Sequence, residues 1–350
     1  MFEVILLLSL GALGISLVGG GDGGGDDSDD PLGQPAVGTL GDGDDDAALT
    51  ENADTVEGGL GDDIIDALGG DDWLRGNDGN DTLFGGTGSD FLAGNAGDDS
   101  LDGQDGDDTL RGGVRDDRIE GGPGDDVLES GTGSDRLWGG DGDDILVLTD
   151  ETVERLPYEE AYGGAGNDLI IVGNTAGLVS GDEGNDTISI DLEQSDAYID
   201  ALGGEGDDLI VASRSGAGGT IYASGGEGND TIDAGPGSFV SGDAGDDLIL
   251  AEGIEIYGGA GHDLFVGDMT SERSLSGVVL DFTPGEDLIL FDVPEEDAEE
   301  AELTIGDPVF DAFYGVELTE VALSAGGQTY SIFVQSAAGI DPSDIAVQFS

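Results

Sequence analysis

Across residues 40–147 one apolar residue returns at every ninth position, through Ala47, Val56, Ile65, Leu74, Leu83, Leu92, Leu101, Leu110, Ile119, Leu128, Leu137 and Leu146. An Asp stands two places before each of them, and no insertion interrupts the twelve units. A period this strict predicts a solenoid of stacked repeats. The apolar residue and its two neighbours form a minimal strand, with the centre facing inward and the flanks facing out. Two units close one coil, with turns on opposite edges and parallel strands roughly 4.8 Å apart.

Beyond residue 147 glycine-aspartate turns return at Gly163, Gly181, Gly203, Gly225, Gly242 and Gly258, at intervals near two units and never near one. These are whole coils that keep such a turn on one edge, while the other edge carries irregular returns such as 190–202 and 212–224. From residue 267 strand-like runs take over, at 278–282, 287–291, 315–323, 329–334 and 345–349, and 294–303 reads as a short helix or loop. The expected fold is all-β: a parallel β-roll, or β-solenoid, with a β-rich C-terminal cap. Its segments are 1–39, an apolar N-terminal segment and Gly/Asp-rich linker; 40–147, the regular roll; 148–266, an irregular continuation with turns on one edge; and 267–350, the cap.

On the persistent edge the outward positions are poor in acid. They include Trp73, Phe91 and Ile145 in the first block and Leu169, Ile171, Leu209 and Leu248 in the second. Apolar residues on both sides of a strand imply cover on both. This face is therefore expected to dock the C-terminal segment, the N-terminal apolar segment or a partner, with β propensity alone as the competing explanation.

Composition then restricts the partners. Acids outnumber bases 80 to 8, every base is Arg, and the formal net charge is −72. Such a chain repels a phosphate backbone, which excludes nucleic acid. Folded compactly it would also repel itself unless cations were bound within. There is no Cys, so neither disulfides nor thiolate metal sites are available, and oxygen-ligated ions remain. Residues 4–18 are almost purely apolar, a length that suits a signal-peptide core better than a membrane span of roughly 20 residues. No Lys or Arg precedes them, so cleavage, anchoring and membrane contact all stay open, as does a buried or docking helix.

The strongest units read Gly58-Gly59-Leu60-Gly61-Asp62-Asp63-Ile64-Ile65-Asp66, Gly85-Gly86-Thr87-Gly88-Ser89-Asp90-Phe91-Leu92-Ala93 and Gly121-Gly122-Pro123-Gly124-Asp125-Asp126-Val127-Leu128-Glu129. They fit G-G-x-G-x-D-x-U-x and resemble the hemolysin-type nonapeptide of the secreted bacterial RTX proteins, for which that motif is a calcium-binding repeat. Physics agrees with the assignment: glycines permit tight turns and expose carbonyls, and the carboxylate is a hard oxygen donor suited to calcium.

The resemblance implies Ca2+ shared between turns one coil apart on the same edge, as for Asp63 with Asp81 and Asp72 with Asp90. The implied ligands are Asp45, Asp54, Asp63, Asp72, Asp81, Asp90, Asp99, Asp108, Asp117, Asp126, Asp135 and Asp144 in the first block, and Asp168, Asp186, Asp208, Asp230, Asp247 and Asp263 in the second. Carbonyls of the glycine region join them, at Gly59, Gly61, Gly79, Gly86, Gly88, Gly97, Gly106, Gly122, Gly124, Gly133 and Gly142. Neighbour pairs suggest about sixteen ions, or roughly +32 against −72. Arg115 and Asn52 replace the fourth-position glycine of their units. Asn tolerates the left-handed conformation there, whereas Arg costs roughly 1 kcal/mol or more. Ala67 and Leu68 replace paired glycines, and the first two units look like worn caps.

The stretch Leu280-Asp281-Phe282-Thr283-Pro284-Gly285-Glu286-Asp287-Leu288-Ile289 resembles the D-F-x-x-G-x-D-x-I segment that often follows RTX repeats. In that family an uncleaved C-terminal signal directs type I secretion, and calcium outside the cell drives folding. Capping the roll is the simpler reading of this segment.

Catalytic chemistry is sparse. The single histidine, His262, occupies the variable fifth position of a turn and reads as a solvated turn residue. H-E-x-x-H is absent, which excludes the zinc proteases that carry similar repeats. Trp73 and Phe91, one coil apart with Arg75 and Arg111 nearby, read as packing more readily than as a sugar platform. Arg118 and Arg136 read as surface ion pairs of little weight. The expected function is calcium binding by an extracellular, structural or surface-associated, non-enzymatic β-roll. The alternatives are a carbohydrate-binding or adhesive module and a noncatalytic appendage of a secreted enzyme system. Surface glycan and self-association through the acid-poor face are the candidate partners.

Overall fold

A computed structural model describes residues 34–349 apart from 150–156, 193–196, 215–218, 236, 251–253, 269–276, 327 and 337. The apolar segment 4–18 lies outside the described residues. The described residues divide into two compact units, one ending at Gly131 and the other beginning at Thr132. Both are all-β, with two short 3-10 turns in the C-terminal unit and no α-helix among the described residues.

In the N-terminal unit a leading sheet stacks Thr55–Leu60, Trp73–Asp78, Phe91–Ala96 and Thr109–Val114 in parallel, with Val56, Leu74, Leu92 and Leu110 in register. A return sheet stacks Ile64–Asp66, Thr82–Thr87, Ser100–Asp105 and Arg118–Pro123, with Ile65, Leu83, Leu101 and Ile119 in register. The register advances by two repeat units, one coil, and both apolar columns are buried between the sheets. Burying each such side chain contributes about 1.5–3 kcal/mol. The strands are mostly six residues long, because the chain stays extended through the first glycines of the next unit instead of turning after x-U-x.

In the C-terminal unit the leading sheet aligns Leu146, Ile170, Ile188, Ile210, Ile232, Ile249, Phe265 and Ile289. The return sheet aligns Leu137, Ala161, Val179, Ala201, Ala223, Val240, Ile256 and Val279. Its strands lengthen to eight residues in Tyr158–Ala165, Ala176–Glu183, Tyr198–Glu205 and Thr220–Glu227. A second inward column appears beside the irregular returns, where Leu148, Val172, Ile190, Ala212 and Ala234 of the leading sheet and Ile199 and Ile221 of the return sheet are all buried. The edge that loses its glycine-aspartate turns is thus filled by hydrocarbon.

The cap extends both sheets and does not fold back over them. Leu288–Val293 and Ile345–Phe349 continue the leading sheet in parallel, and Val278–Val279 followed by Gln328–Val334 continue the return sheet. Val316–Ala325 pairs antiparallel with Gln328–Val334, and two short strands not apparent in the sequence, Glu302–Ile305 and Val309–Asp311, pair with it. Residues 294–303 hold the 3-10 turn Glu295–Glu300. The C-terminal segment therefore leaves the acid-poor leading face open: Ile145, Ile171 and Leu209 remain 36–37% exposed.

Candidate metal centre: columns of buried carboxylates

Every sixth-position Asp from Asp54 to Asp263 is buried, with at most 3% exposure; Asp45, in the first coil, is half-buried. The carboxylates are linked coil to coil. Oδ1 of Asp63 accepts the backbone N–H of Asp45 at 2.8 Å, Asp81 that of Asp63, and Asp99 that of Asp81. On the other edge of the N-terminal unit, Asp72, Asp90 and Asp108 accept from Asp54, Asp72 and Asp90 at 2.6–2.7 Å. In the C-terminal unit the column runs from Asp144 through Asp168, Asp186, Asp208, Asp230 and Asp247 to Asp263, at 2.7–3.1 Å.

Only one oxygen of each carboxylate is used in this way. Oδ2 of Asp63, Asp81, Asp90, Asp108, Asp168, Asp186, Asp208, Asp230 and Asp247 is buried without a hydrogen-bond partner. A buried ionised oxygen left so costs several kcal/mol unless a proton or cation meets it.

The space in front of that oxygen is kept open by the first-position glycine. A Cβ on Gly85 would lie 2.5 Å from Asp90 Oδ2 and 2.7 Å from the carbonyl oxygen of Gly103 in the next coil. Gly163, Gly181, Gly203, Gly225 and Gly242 repeat this geometry, each with an Asp Oδ2 and the next coil's carbonyl converging on the missing side chain. Carboxylate and carbonyl oxygens around a side-chain-free gap suit a hard divalent cation such as Ca2+. Each turn supplies one carboxylate and backbone oxygens, so no cluster of three acidic, His or Cys side chains is present among the described residues.

The first-position glycines were not among the sequence-derived ligands. The glycines that were, at positions two and four, take positive φ, Gly97 excepted. Gly59, Gly61, Gly79, Gly86, Gly88, Gly97, Gly106, Gly122 and Gly124 also lie against the backbone of the preceding coil too closely for any Cβ.

Burial pushes these carboxyls up, the accepted N–H bond opposes the shift, and like charges on neighbouring acids add to it. Asp63, Asp99, Asp126, Asp186 and Asp263 rise to about 6. Asp72, Asp108, Asp168, Asp208 and Asp247 rise to about 7.

Two members of the motif series are satisfied by protein instead. Asp54 accepts the N–H of Ala36 at 2.5 Å through Oδ1, and the N–H and hydroxyl of Thr50 at 2.9 and 3.0 Å. At the far end Asp287, missed as a ligand position in the sequence because Phe282 and Thr283 stand where the paired glycines would be, takes the next place in the column. Its oxygens accept from Asp263 N–H at 3.2 Å and Thr283 N–H at 2.6 Å. Asp281 accepts from Gly258 and Gly259 N–H, both at 2.9 Å. The D-F-x-x-G-x-D segment is thus a final coil that closes the column with amide donors.

Arg115 adopts φ +87° and Leu68 φ +69°, whereas Asn52 stays out of the left-handed region and donates its N–H to Thr50 Oγ1 at 3.2 Å. Ala67, fully buried, puts a methyl group where other turns keep the gap open. On the opposite edge of the C-terminal unit Glu159 is buried one place beyond Asp135. Gly177, Ile199 and Ile221 follow in register, which ends the acidic series there.

The fifth position, variable in the motif, forms a second, exposed ladder. Asn80 N–H donates to Asp62 Oδ1 at 2.8 Å, Asp98 to Asn80, Asn185 to Asn167, Asp207 to Asn185, Asn229 to Asp207 and His262 to Asp246. Here the later coil donates to the earlier, the reverse of the buried column. His262 is exposed, with Nδ1 3.0 Å from the Glu286 carbonyl oxygen.

Trp73 and Phe91 stack at 5.8 Å, with the guanidinium of Arg75 4.1 Å from the Trp73 ring centre and that of Arg111 5.6 Å from Phe91. Arg118 pairs with Glu120 at 2.8 Å and Arg136 with Glu160 at 2.9 Å. Both pairs lie at the surface, worth about 0–1 kcal/mol each.

The family model described as RTX calcium-binding nonapeptide repeat (4 copies) matches residues 40–74, 50–83, 75–110, 84–119, 111–146, 160–188, 224–253 and 255–269. Comparison with curated proteins found no match.

Proposed function

Because the chain belongs to the RTX calcium-binding nonapeptide repeat family, we propose that it is an extracellular β-roll that folds when it meets calcium and serves a structural or surface-associated, non-enzymatic role. The observation that carries this reading is the file of buried Oδ2 atoms, each beside a glycine-lined gap and without a protein donor. Asp63, Asp81, Asp90 and Asp108 in the N-terminal unit, and Asp168, Asp186, Asp208, Asp230 and Asp247 in the C-terminal unit, would hold the ions together with first-position carbonyls such as Gly103 and Gly225. Bound calcium would supply positive charge along columns that otherwise contain only carboxylates.

Extracellular calcium modules bind with Kd of about 10⁻⁴–10⁻³ M. A chain tuned to that range stays ion-free and self-repelling at low calcium and compacts after export. Asp54 and Asp287, whose oxygens already accept protein donors, close the ends and take no ion. Glycan binding at Trp73 and Phe91 is less favoured, because Arg75 and Arg111 already lie over those rings.

Isothermal titration of the chelated chain with CaCl2 tests the reading. The expected stoichiometry is on the order of ten ions per chain, in line with the number of such turns. Saturation at one ion or none would contradict it.

A further inference from the structure

Five of the seven tyrosines of this chain stand on one surface, the outer face of the return sheet in the C-terminal unit. Tyr158, Tyr198, Tyr222 and Tyr257 are 53, 44, 38 and 38% exposed, and Tyr162 is half-buried. The inward positions of the same strands are Ala161, Val179, Ala201, Ala223 and Val240, so the tyrosines contribute nothing to the core. The leading sheet of the same unit has none. Tyr198 and Tyr222 pack at 5.3 Å between ring centres, and Tyr222 stacks on Phe239 at 4.6 Å, one ring per coil. No arginine lies over Tyr198 or Tyr222 among the described residues, in contrast to the Trp73 row.

Between Glu160 on Tyr158–Ala165 and Glu255 on Glu255–Ala260, the middle of this face is poor in free charge for a chain of net charge −72. Asp200 is the only acid on the outward positions of Ala176–Glu183, Tyr198–Glu205 and Thr220–Glu227 before their turns. At the turns Asp182 accepts the hydroxyl of Ser180 at 2.6 Å, and Asp243 accepts those of Ser224 and Ser241. Aromatic bodies with phenol rims, flanked by hydroxyls, offer apolar surface to the C–H faces of a sugar and hydrogen bonds to its hydroxyls. The net charge repels a polyanion. The coil spacing of roughly 4.8 Å is close to the length of one hexopyranose residue in an extended chain, so a ladder of equal rungs meets a polymer of equal rungs.

We infer that this tyrosine face binds a neutral, extended polysaccharide lying along the roll axis. The inference rests on the calcium-loaded roll proposed above, since the ladder exists only once the coils are stacked.

The full chain in calcium is titrated calorimetrically with cellohexaose, laminarihexaose and maltohexaose, with alginate as the polyanionic comparison and far-ultraviolet dichroism as the check on folding. At least one neutral oligosaccharide is expected to bind. The double variant Tyr198→Ser/Tyr222→Ser is expected to weaken it by about tenfold or more, with dichroism unchanged, and Trp73→Ala is expected to leave it unaltered. A folded protein that binds none of the three, binds alginate alone, or keeps its affinity in the double variant overturns the inference. So does a folded protein whose self-association, and not sugar binding, is lost in that variant. A chain that does not fold in calcium fails the earlier reading instead, and dichroism separates the two failures.

Discussion

Stripped of calcium by a chelator at pH 8, the chain is expected to lose most of its far-ultraviolet β signal and to expand toward the radius of gyration of an unfolded 350-residue chain, about 67 Å. Millimolar CaCl2 is expected to reverse both changes. The reason lies in the columns, where carboxylates repeat coil after coil and Oδ2 of Asp63, Asp81, Asp90, Asp108, Asp168, Asp186, Asp208, Asp230 and Asp247 is buried and lacks a donor. Two unit charges one coil apart repel by roughly 3 kcal/mol at an effective dielectric of about 20, and each column holds several such neighbours.

Protons can partly replace the cation, and the sign is fixed by the shifts. In the ion-free fold Asp72, Asp108, Asp168, Asp208 and Asp247 sit at about 7, above the ~3.9 of an unfolded Asp. The fold therefore binds more protons than the unfolded chain. Its stabilisation by them is complete below about pH 4 and is lost as pH rises through about 7. Acidifying the chelated sample from pH 8 to about 5.5 is expected to restore part of the β signal. A chelated chain equally folded at both pH values would show that the columns need no positive charge.

Among the first-position glycines of the C-terminal unit, Gly203→Ala is expected to be the most damaging single methyl group, because its added Cβ meets the next coil's carbonyl most closely. Its Cβ would overlap Asp208 Oδ2 and the Gly225 carbonyl oxygen, the two atoms that define the gap. The carbonyl belongs to the next coil's backbone, which cannot yield without breaking register. Overpacking alone costs about 1–3 kcal/mol, and losing the ion between these coils adds to it. The calcium midpoint followed by dichroism should rise and the melting temperature fall. Gly43→Ala is the control: nothing lies within 4 Å of its added Cβ, and a change within about 0.5 kcal/mol is expected. Equal effects at the two positions would mean that the first-position gap has no special role.

The sixth-position aspartates and the inward column were legible in the sequence because both belong to the repeat itself and recur at a spacing of nine. The first-position glycines were legible as glycines but not as the open side of a site, since their constraint is a carbonyl one coil away, as Gly103 is for Gly85. The fifth-position ladder was hidden for the same reason: Asp207 is selected by Asn185 and Asn229, each one coil away along the chain. Asp54 matches the motif, yet Thr50 fills its oxygens, a contact that depends on how one worn turn is closed. Glu159 and Ile199 escaped because the step from Asp144 to Asp168 is longer than two units and the return strands lengthen. The tyrosine face stayed invisible until those longer strands fixed which residues point outward.

The most direct test is the position of the ions. A crystal grown in calcium and measured for anomalous scattering is expected to show peaks in the gaps at Gly163, Gly181, Gly203, Gly225 and Gly242, beside Oδ2 of Asp168, Asp186, Asp208, Asp230 and Asp247, and none at Asp54 or Asp287. Vacant gaps in saturating calcium, or ions bound instead along the exposed fifth-position ladder, would contradict the account.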